Sequence, residues 1–196
     1  METETAADER VGLTADARRR KVAHAFANRP RSPREAAQGG SNVKLLDKAY
    51  IGRASAPTTI TVEPAQLRFF LKAIGEERPI YHDAAAAKAA GYRAIPIPPT
   101  YLFCLQVLSA TNSYSFYQEA GIDVGRLLHG EQGFAYHQPI CVGDVLTFTA
   151  EIVDIVEKKN GQMTLMTQNT RVENAAGEHV ADVKGITVIR NVGAAA

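Results

Sequence analysis

The stretch "IPIPPTYLFCLQVLSAT", Ile95–Thr111, decides how the rest of the chain has to be arranged. Beyond its prolines, Tyr101, Leu102, Phe103, Cys104, Leu105, Val107 and Leu108 leave almost no polar face on a helix that starts near Pro99. A helix that is apolar on nearly every side has to be enclosed by other elements. The flanking sequence must therefore supply the cover.

Downstream, the apolar pattern changes from helix period to strand period. In "DVLTFTAEIVDIVEKKNGQMTLMTQNTRVENAAGEHVADVKGITVI", Asp144–Ile189, the residues Leu146, Phe148, Ala150 and Ile152 alternate with Thr147, Thr149 and Glu151, as in a half-buried strand. Asn160-Gly161 is a hairpin signal, and "NAAG" at Asn174–Gly177 marks a second turn. With "LLHGEQGFAYHQPI", Leu127–Ile140, as a further strand and "PTTITV", Pro57–Val62, upstream, the sequence predicts about five mainly antiparallel strands. A twisted antiparallel sheet can curl around one apolar helix, so the fold class is α+β.

Between the first strand and the apolar helix lie two further helical patterns. In "EPAQLRFFLKAIG", Pro64 suits the first turn, Leu67, Phe70, Leu71 and Ile74 share one face, and Gly75 ends the element. The second, "DAAAAKAAG", opens on Asp83 as N-cap and closes on Gly91. A polar connecting stretch containing Tyr114, Phe116 and Tyr117 follows the apolar helix.

The organised domain is expected over residues 43–191. Residues 1–42, with "RPRSPRE" and "QGGSN", read as a tail or loosely docked arm, in which "ADARRRKVAHAFA" could form one basic helix. Residues 192–196 read as a short C-terminal tail. The chain has 196 residues, 45% of them apolar, enough for one sizeable core. Its 22 basic and 21 acidic residues give a net charge of +1, so no overall field favours nucleic acid or an anionic membrane. There is no apolar run of membrane-span length and no apolar core of a secretory signal. Cys104 and Cys141 make no disulfide framework and fit free thiols in a reducing cytoplasm.

Two separated segments, "FFLKAIGEERPIYHDAAAAKAAGYRAIPIPPTYL" and "LLHGEQGFAYHQPICVGDVLTFTAEIVDI", resemble the MaoC-like dehydratase family, most of all its N-terminal-type or FAS1-like dehydratase domains. The resemblance implies a hot-dog fold, an antiparallel sheet wrapped around a central helix. It also implies (R)-specific enoyl-thioester hydratase chemistry, whose signature is a Gly-Asp-x-Asn-Pro-aliphatic-His-x-Asp segment. Hydration needs a base to activate water, an acid to protonate C2 and a donor to the thioester carbonyl.

On that motif Gly75 matches the Gly, Glu76 the catalytic Asp, Arg78 the Asn, Pro79 the Pro, Ile80 the aliphatic residue, Tyr81 the catalytic His and Asp83 the last Asp. Both chemical positions are changed. A tyrosine, with an ordinary pKa of about 10, is a poor general base at neutral pH. Glutamate places its carboxylate about one methylene further out than aspartate. His82 falls one residue too late.

Glu76 and His82 are therefore weak candidates for an improvised catalytic pair. Tyr81, Asp83, Pro98, His129 and Gly130 are candidates for binding substrate, an acyl thioester of coenzyme A or of acyl carrier protein. The resemblance implies a chain that holds the acyl group in a homodimer, or in a heterodimer with a catalytic hot-dog chain. A self-sufficient homodimeric hydratase and a non-enzymatic acyl-binding protein are the alternatives. No cofactor is expected. The histidines are scattered singly and the two cysteines are isolated, so the sequence offers no metal-ligand spacing. Alternation is expected to put His129, Glu131 and Gly133 on one strand face. His137 is expected to be exposed at a strand end, and His179 to open the last strand with no role of its own.

Overall fold

In the computed structural model, the described residues are 45–191; residues 1–44 and 192–196, with both expected tails, lie outside them. Five strands form one antiparallel sheet: β1 (Thr58–Thr61), β2 (Leu127–Tyr136), β3 (Val145–Lys158), β4 (Met163–Asn174) and β5 (His179–Arg190), in the order β1-β3-β4-β5-β2. The β3–β4 hairpin turns through Lys159, Asn160 and Gly161, all at positive φ, and β4–β5 turns through Gly177 at φ 77°. These are the turns that the Asn-Gly and Asn-Ala-Ala-Gly signals predict.

Four α-helices lie between the first and second strands: α1 (Pro64–Ile74), α2 (Ala84–Ala89), α3 (Tyr101–Ser109) and α4 (Ser115–Glu119). Pro64 occupies the first turn of α1, and Gly75 ends it in the left-handed conformation at φ 67°. A side chain would be strained there. Leu67 and Leu71 bury the inner face of α1, while Ile74 at its end is exposed. The side chain of Asp83 caps α2 by accepting from the Ala85 amide at 2.6 Å.

The helix α3 lies on the concave face of the sheet. Its Tyr101, Leu102 and Leu105 pack with Leu146 and Phe148 of β3, Val172 of β4 and Ala181 and Val183 of β5. Each such fully buried leucine contributes about 1.5–3 kcal/mol relative to exposure. Gln106 turns its one polar group inward and donates to Thr170 Oγ1 at 2.9 Å.

Full enclosure of α3 does not hold in the single chain: Phe103, Val107 and Leu108 are 37%, 43% and 54% exposed. One five-stranded sheet covers one side of the helix, and α1 covers part of another. The remaining flank has no cover among the described residues of the chain.

The connecting stretch after α3 is more than a linker. It forms α4, whose buried Tyr117 joins Ile152, Ile155, Met166 and Ile189 in a second apolar cluster on the other half of the same face. Five residues are too few for a periodic pattern to announce such a helix. Among the described residues, no helix is long and apolar enough to cross a membrane.

Candidate functional site

The segment from Gly75 to Asp83 leaves α1 at the left-handed glycine, makes a single 3-10 turn at Pro79–Tyr81 and enters α2 at the Asp83 cap. Pro79 fixes φ at the start of that turn, and the Tyr81 amide donates to the Arg78 carbonyl at 3.1 Å. The loop is thus anchored at both ends by backbone geometry. Its side chains are equally committed.

Glu76 accepts from the Arg78 amide at 2.9 Å, from Arg78 Nε at 2.9 Å and from Arg78 Nη2 at 2.6 Å. Both carboxylate oxygens face one guanidinium, a two-pronged ion pair. Those hydrogen bonds bring the Glu76 carboxyl from its ordinary 4.5 down to about 2. A carboxylate this weakly basic carries no proton to donate near neutrality and takes one up reluctantly. The Arg78 guanidinium also stacks 5.0 Å from the Tyr81 ring.

Tyr81 is buried and belongs to the main core, packed with the same cluster as Ile97, Tyr101 and Leu102. His82 is exposed, and its Nε2 lies 2.7 Å from the backbone carbonyl of Glu76. That bond requires Nε2 to carry the proton, because a carbonyl only accepts. Glu76 and His82 therefore meet through main chain, with no hydrogen bond between imidazole and carboxylate. The Asp83 carboxylate is held by the Ala85 amide, and Pro98 is buried beneath α3, whose Tyr101 amide donates to the Pro98 carbonyl at 3.0 Å.

On β2, the pairing His129↔Thr187 is followed directly by Glu131↔Ile186, so Gly130 is an extra, unpaired residue. This bulge corrects the expected alternation. His129 shares the concave face with Thr187, while Glu131 and Gly133 share the outer face with Ile186 and Lys184. Glu131 there meets Lys184 Nζ at 3.4 Å. The His129 ring instead stands edge-on to Phe103 of α3, with centroids 5.6 Å apart. A Cβ at position 130 would lie 2.9 Å from both the Ile186 oxygen and Val188 Cγ2, so glycine is what lets the bulge close.

Two functional-looking groups escape a reading of the sequence. Arg78 falls at a motif position where its clamp on Glu76 has no counterpart in the motif; the signal is the Glu-x-Arg spacing across a turn. Tyr136, at the end of β2, donates its hydroxyl to the Pro99 carbonyl at 2.6 Å and so ties the strand to the start of α3. Burial, with the neighbouring Tyr81, pushes its phenol well above the usual range. A separate groove of about 540 Å³ includes Tyr92, Arg93, Asp144 and Glu178 in its lining, and none of residues 75–83 lines it.

Residues 49–183 match the model of the FAS1-like dehydratase domain region. The chain belongs to the FAS1-like dehydratase family. Among its relatives, the UPF0336 protein of Streptomyces avermitilis is 36% identical over 69% of this chain and 89% of its own length. The UPF0336 protein of Thermobifida fusca is 34% identical over 74% of this chain and 94% of its own length. The fold is shared with a MaoC-like dehydratase, with TM-score 0.64 and 25% identity over 74% of this chain and 43% of that one. It is also shared with the HadBC (3R-hydroxyacyl-ACP dehydratase) complex of Mycobacterium tuberculosis, with TM-score 0.63 and 23% identity over 74% of this chain and 99% of that one. The FAS1-like dehydratase chain is accordingly a hot-dog domain of the MaoC-like kind, with α3 as its central helix.

Proposed function

We propose that this chain is the acyl-binding, non-catalytic unit of an (R)-specific enoyl-thioester hydratase, equivalently a 3-hydroxyacyl-thioester dehydratase. A partner hot-dog chain supplies the Asp and His that activate water. The observation that carries the reading is the state of the loop at the motif position. Glu76 has both oxygens engaged by Arg78 and its carboxyl down at about 2, and the residue at the base position is the buried phenol Tyr81. Neither is suited to take a proton from water at neutral pH.

Tyr81, Pro98, His129 and the Gly130 bulge then serve binding. Asp83 contributes by fixing the end of the loop. The acyl chain enters along α3, and the thioester carrier is coenzyme A or an acyl carrier protein.

The partner surface is supported by a second observation. Phe103, on the exposed side of α3 with Val107, stands against His129 of β2, whose outer edge has no strand beside it among the described residues. An unpaired edge next to an apolar flank is a surface that a second sheet and helix would cover. The improvised-pair alternative rests on the 2.7 Å approach of His82 to the Glu76 backbone. It is the weaker reading, since the carboxylate itself faces Arg78.

The test is hydration of a short trans-2-enoyl-CoA by the purified chain, alone and with a hot-dog chain that bears an intact Asp/His pair. The expected result is background turnover alone and a rise of at least about 10²-fold on mixing, the contribution typical of a positioned acid–base group. Robust turnover by the chain alone contradicts the proposal. Enoyl-thioester binding without turnover under either condition would instead make this a non-enzymatic acyl-binding protein.

A further inference from the structure

A second polar cluster stands apart from the 75–83 loop, on the outer face of the sheet. Asp182 of β5 receives two imidazoles. His137 Nε2 lies 2.8 Å from Asp182 Oδ2, and His179 Nε2 lies 2.8 Å from Asp182 Oδ1. The two rings lie 4.4 Å apart, and one donor atom from each of the three residues falls within 4.8 Å of the others.

Backbone irregularity assembles this group. His179 and Asp182 are three apart, and on a regular strand such residues face opposite sides. The β4–β5 pairing passes from Val172↔Ala181 to Glu173↔His179, leaving Val180 as an extra residue. That bulge turns His179 to the side of Asp182. His137 arrives from beyond the end of β2, held where its amide and that of Gln138 both donate to the Val180 carbonyl. Three residues distant in sequence therefore converge at one spot that the spacing of histidines does not reveal.

The surrounding charges favour a cation. Arg171 sits across from Asp182 on β4, but its Nε donates to Glu173 Oε1 at 2.8 Å. The positive charge directly across the ladder from Asp182 is thus already paired. Burial raises the Asp182 carboxyl, but hydrogen bonds from His137 and His179 outweigh it and leave the group below its ordinary value. Two imidazoles and an ionised carboxylate are the donor set of a borderline divalent transition metal, and calcium or magnesium would take more oxygens.

We propose that His137, His179 and Asp182 form a binding site for a divalent transition cation of the Zn²⁺ class, with His Nε2, His Nε2 and a carboxylate oxygen as ligands and the remaining position open to water. In a tetrahedral zinc site the donors stand roughly 3.3 Å apart. Reaching that spacing takes opening the two 2.8 Å contacts, made to different carboxylate oxygens, by about half an ångström and drawing together donors that now lie within 4.8 Å, and all three side chains are solvent-accessible enough to rotate. On binding, each neutral imidazole shifts its proton from Nε2 to Nδ1, and any imidazolium releases one.

The test is calorimetric titration of ZnCl₂ into the tag-free full chain near neutral pH. The expected result is one Zn²⁺ per chain, with binding weakened at least about tenfold in His179→Ala and in Asp182→Asn and unchanged in His82→Ala. Circular dichroism checks that each variant is folded. Substituting Co²⁺ gives a second readout: a visible spectrum of nitrogen and oxygen ligation without a thiolate charge-transfer band. Absence of stoichiometric binding, wild-type affinity in the double variant His137→Ala/His179→Ala, or a thiolate band pointing to Cys104 or Cys141 would overturn the proposal.

Discussion

The 75–83 loop and the exposed flank of α3 are opposites. In the loop the polar groups are engaged from within: Glu76 by Arg78, His82 Nε2 by the Glu76 carbonyl, Asp83 by the α2 amide. On α3, Phe103, Val107 and Leu108 stay in solvent, and Phe103 lies beside the edge strand β2. The proposed acyl-binding role follows from this contrast: satisfied polar groups in the loop and unsatisfied apolar ones on the helix favour binding and association over reaction. Acid–base catalysis needs a group free to exchange a proton at the operating pH, and on the proposed reading the two motif positions, Glu76 and Tyr81, do not supply it.

That contrast can be broken first at the helix. Leu105→Ala, on the buried side of α3, should cost about 2–5 kcal/mol in chemical denaturation. Leu108→Asp, 54% exposed near the end of the same helix, should leave the isolated chain's stability within about 0.5 kcal/mol. Equal losses at both positions would mean that α3 has no free flank. Gly130→Ala comes next, at about 1–3 kcal/mol, because the added methyl meets backbone and side chain of β5 at 2.9 Å. In NMR it should also shift His129 away from Phe103. An unperturbed variant would show that the bulge tolerates a side chain.

In the proposed assembly, Leu108→Asp should weaken association at least about tenfold, roughly 1.4 kcal/mol, measured by sedimentation. An unchanged assembly would place the interface elsewhere. The smallest effect belongs to the loop: Arg78→Ala should let the Glu76 carboxyl climb from about 2 back toward 4.5, followed by its side-chain NMR shift. The sign follows from the lowered folded value. The stability contributed by the Glu76–Arg78 pair is fully present above pH 4.5 and is lost as pH falls through about 2, so wild type loses it only in strong acid and Arg78→Ala lacks it throughout.

Much of the fold was legible because periodicity and turn chemistry agree in it. Leu146 and Phe148 alternate with threonines, Asn160-Gly161 demands a tight turn, and Tyr101 to Leu108 lack a polar face. What stayed hidden depends on breaks in period. The bulge at Gly130 moves His129 and Glu131 to opposite faces, and the one at Val180 joins His179 to Asp182. Strict alternation misplaces both histidines. The five-residue α4 is too short to show a period, and only packing against Ile152, Met166 and Ile189 reveals Tyr117 as core. In the loop, residue identities announced the altered motif, but the double engagement of Glu76 by Arg78 required the turn to be seen.

The most direct test of the central claim is the rate of the reconstituted pair carrying Glu76→Gln and His82→Ala together in this chain. With the Asp/His-bearing partner present, kcat should stay within several-fold of wild type while circular dichroism reports an intact fold. A loss of about 10²-fold or more in the folded variant would make Glu76 or His82 a proton-transfer group and would contradict the account.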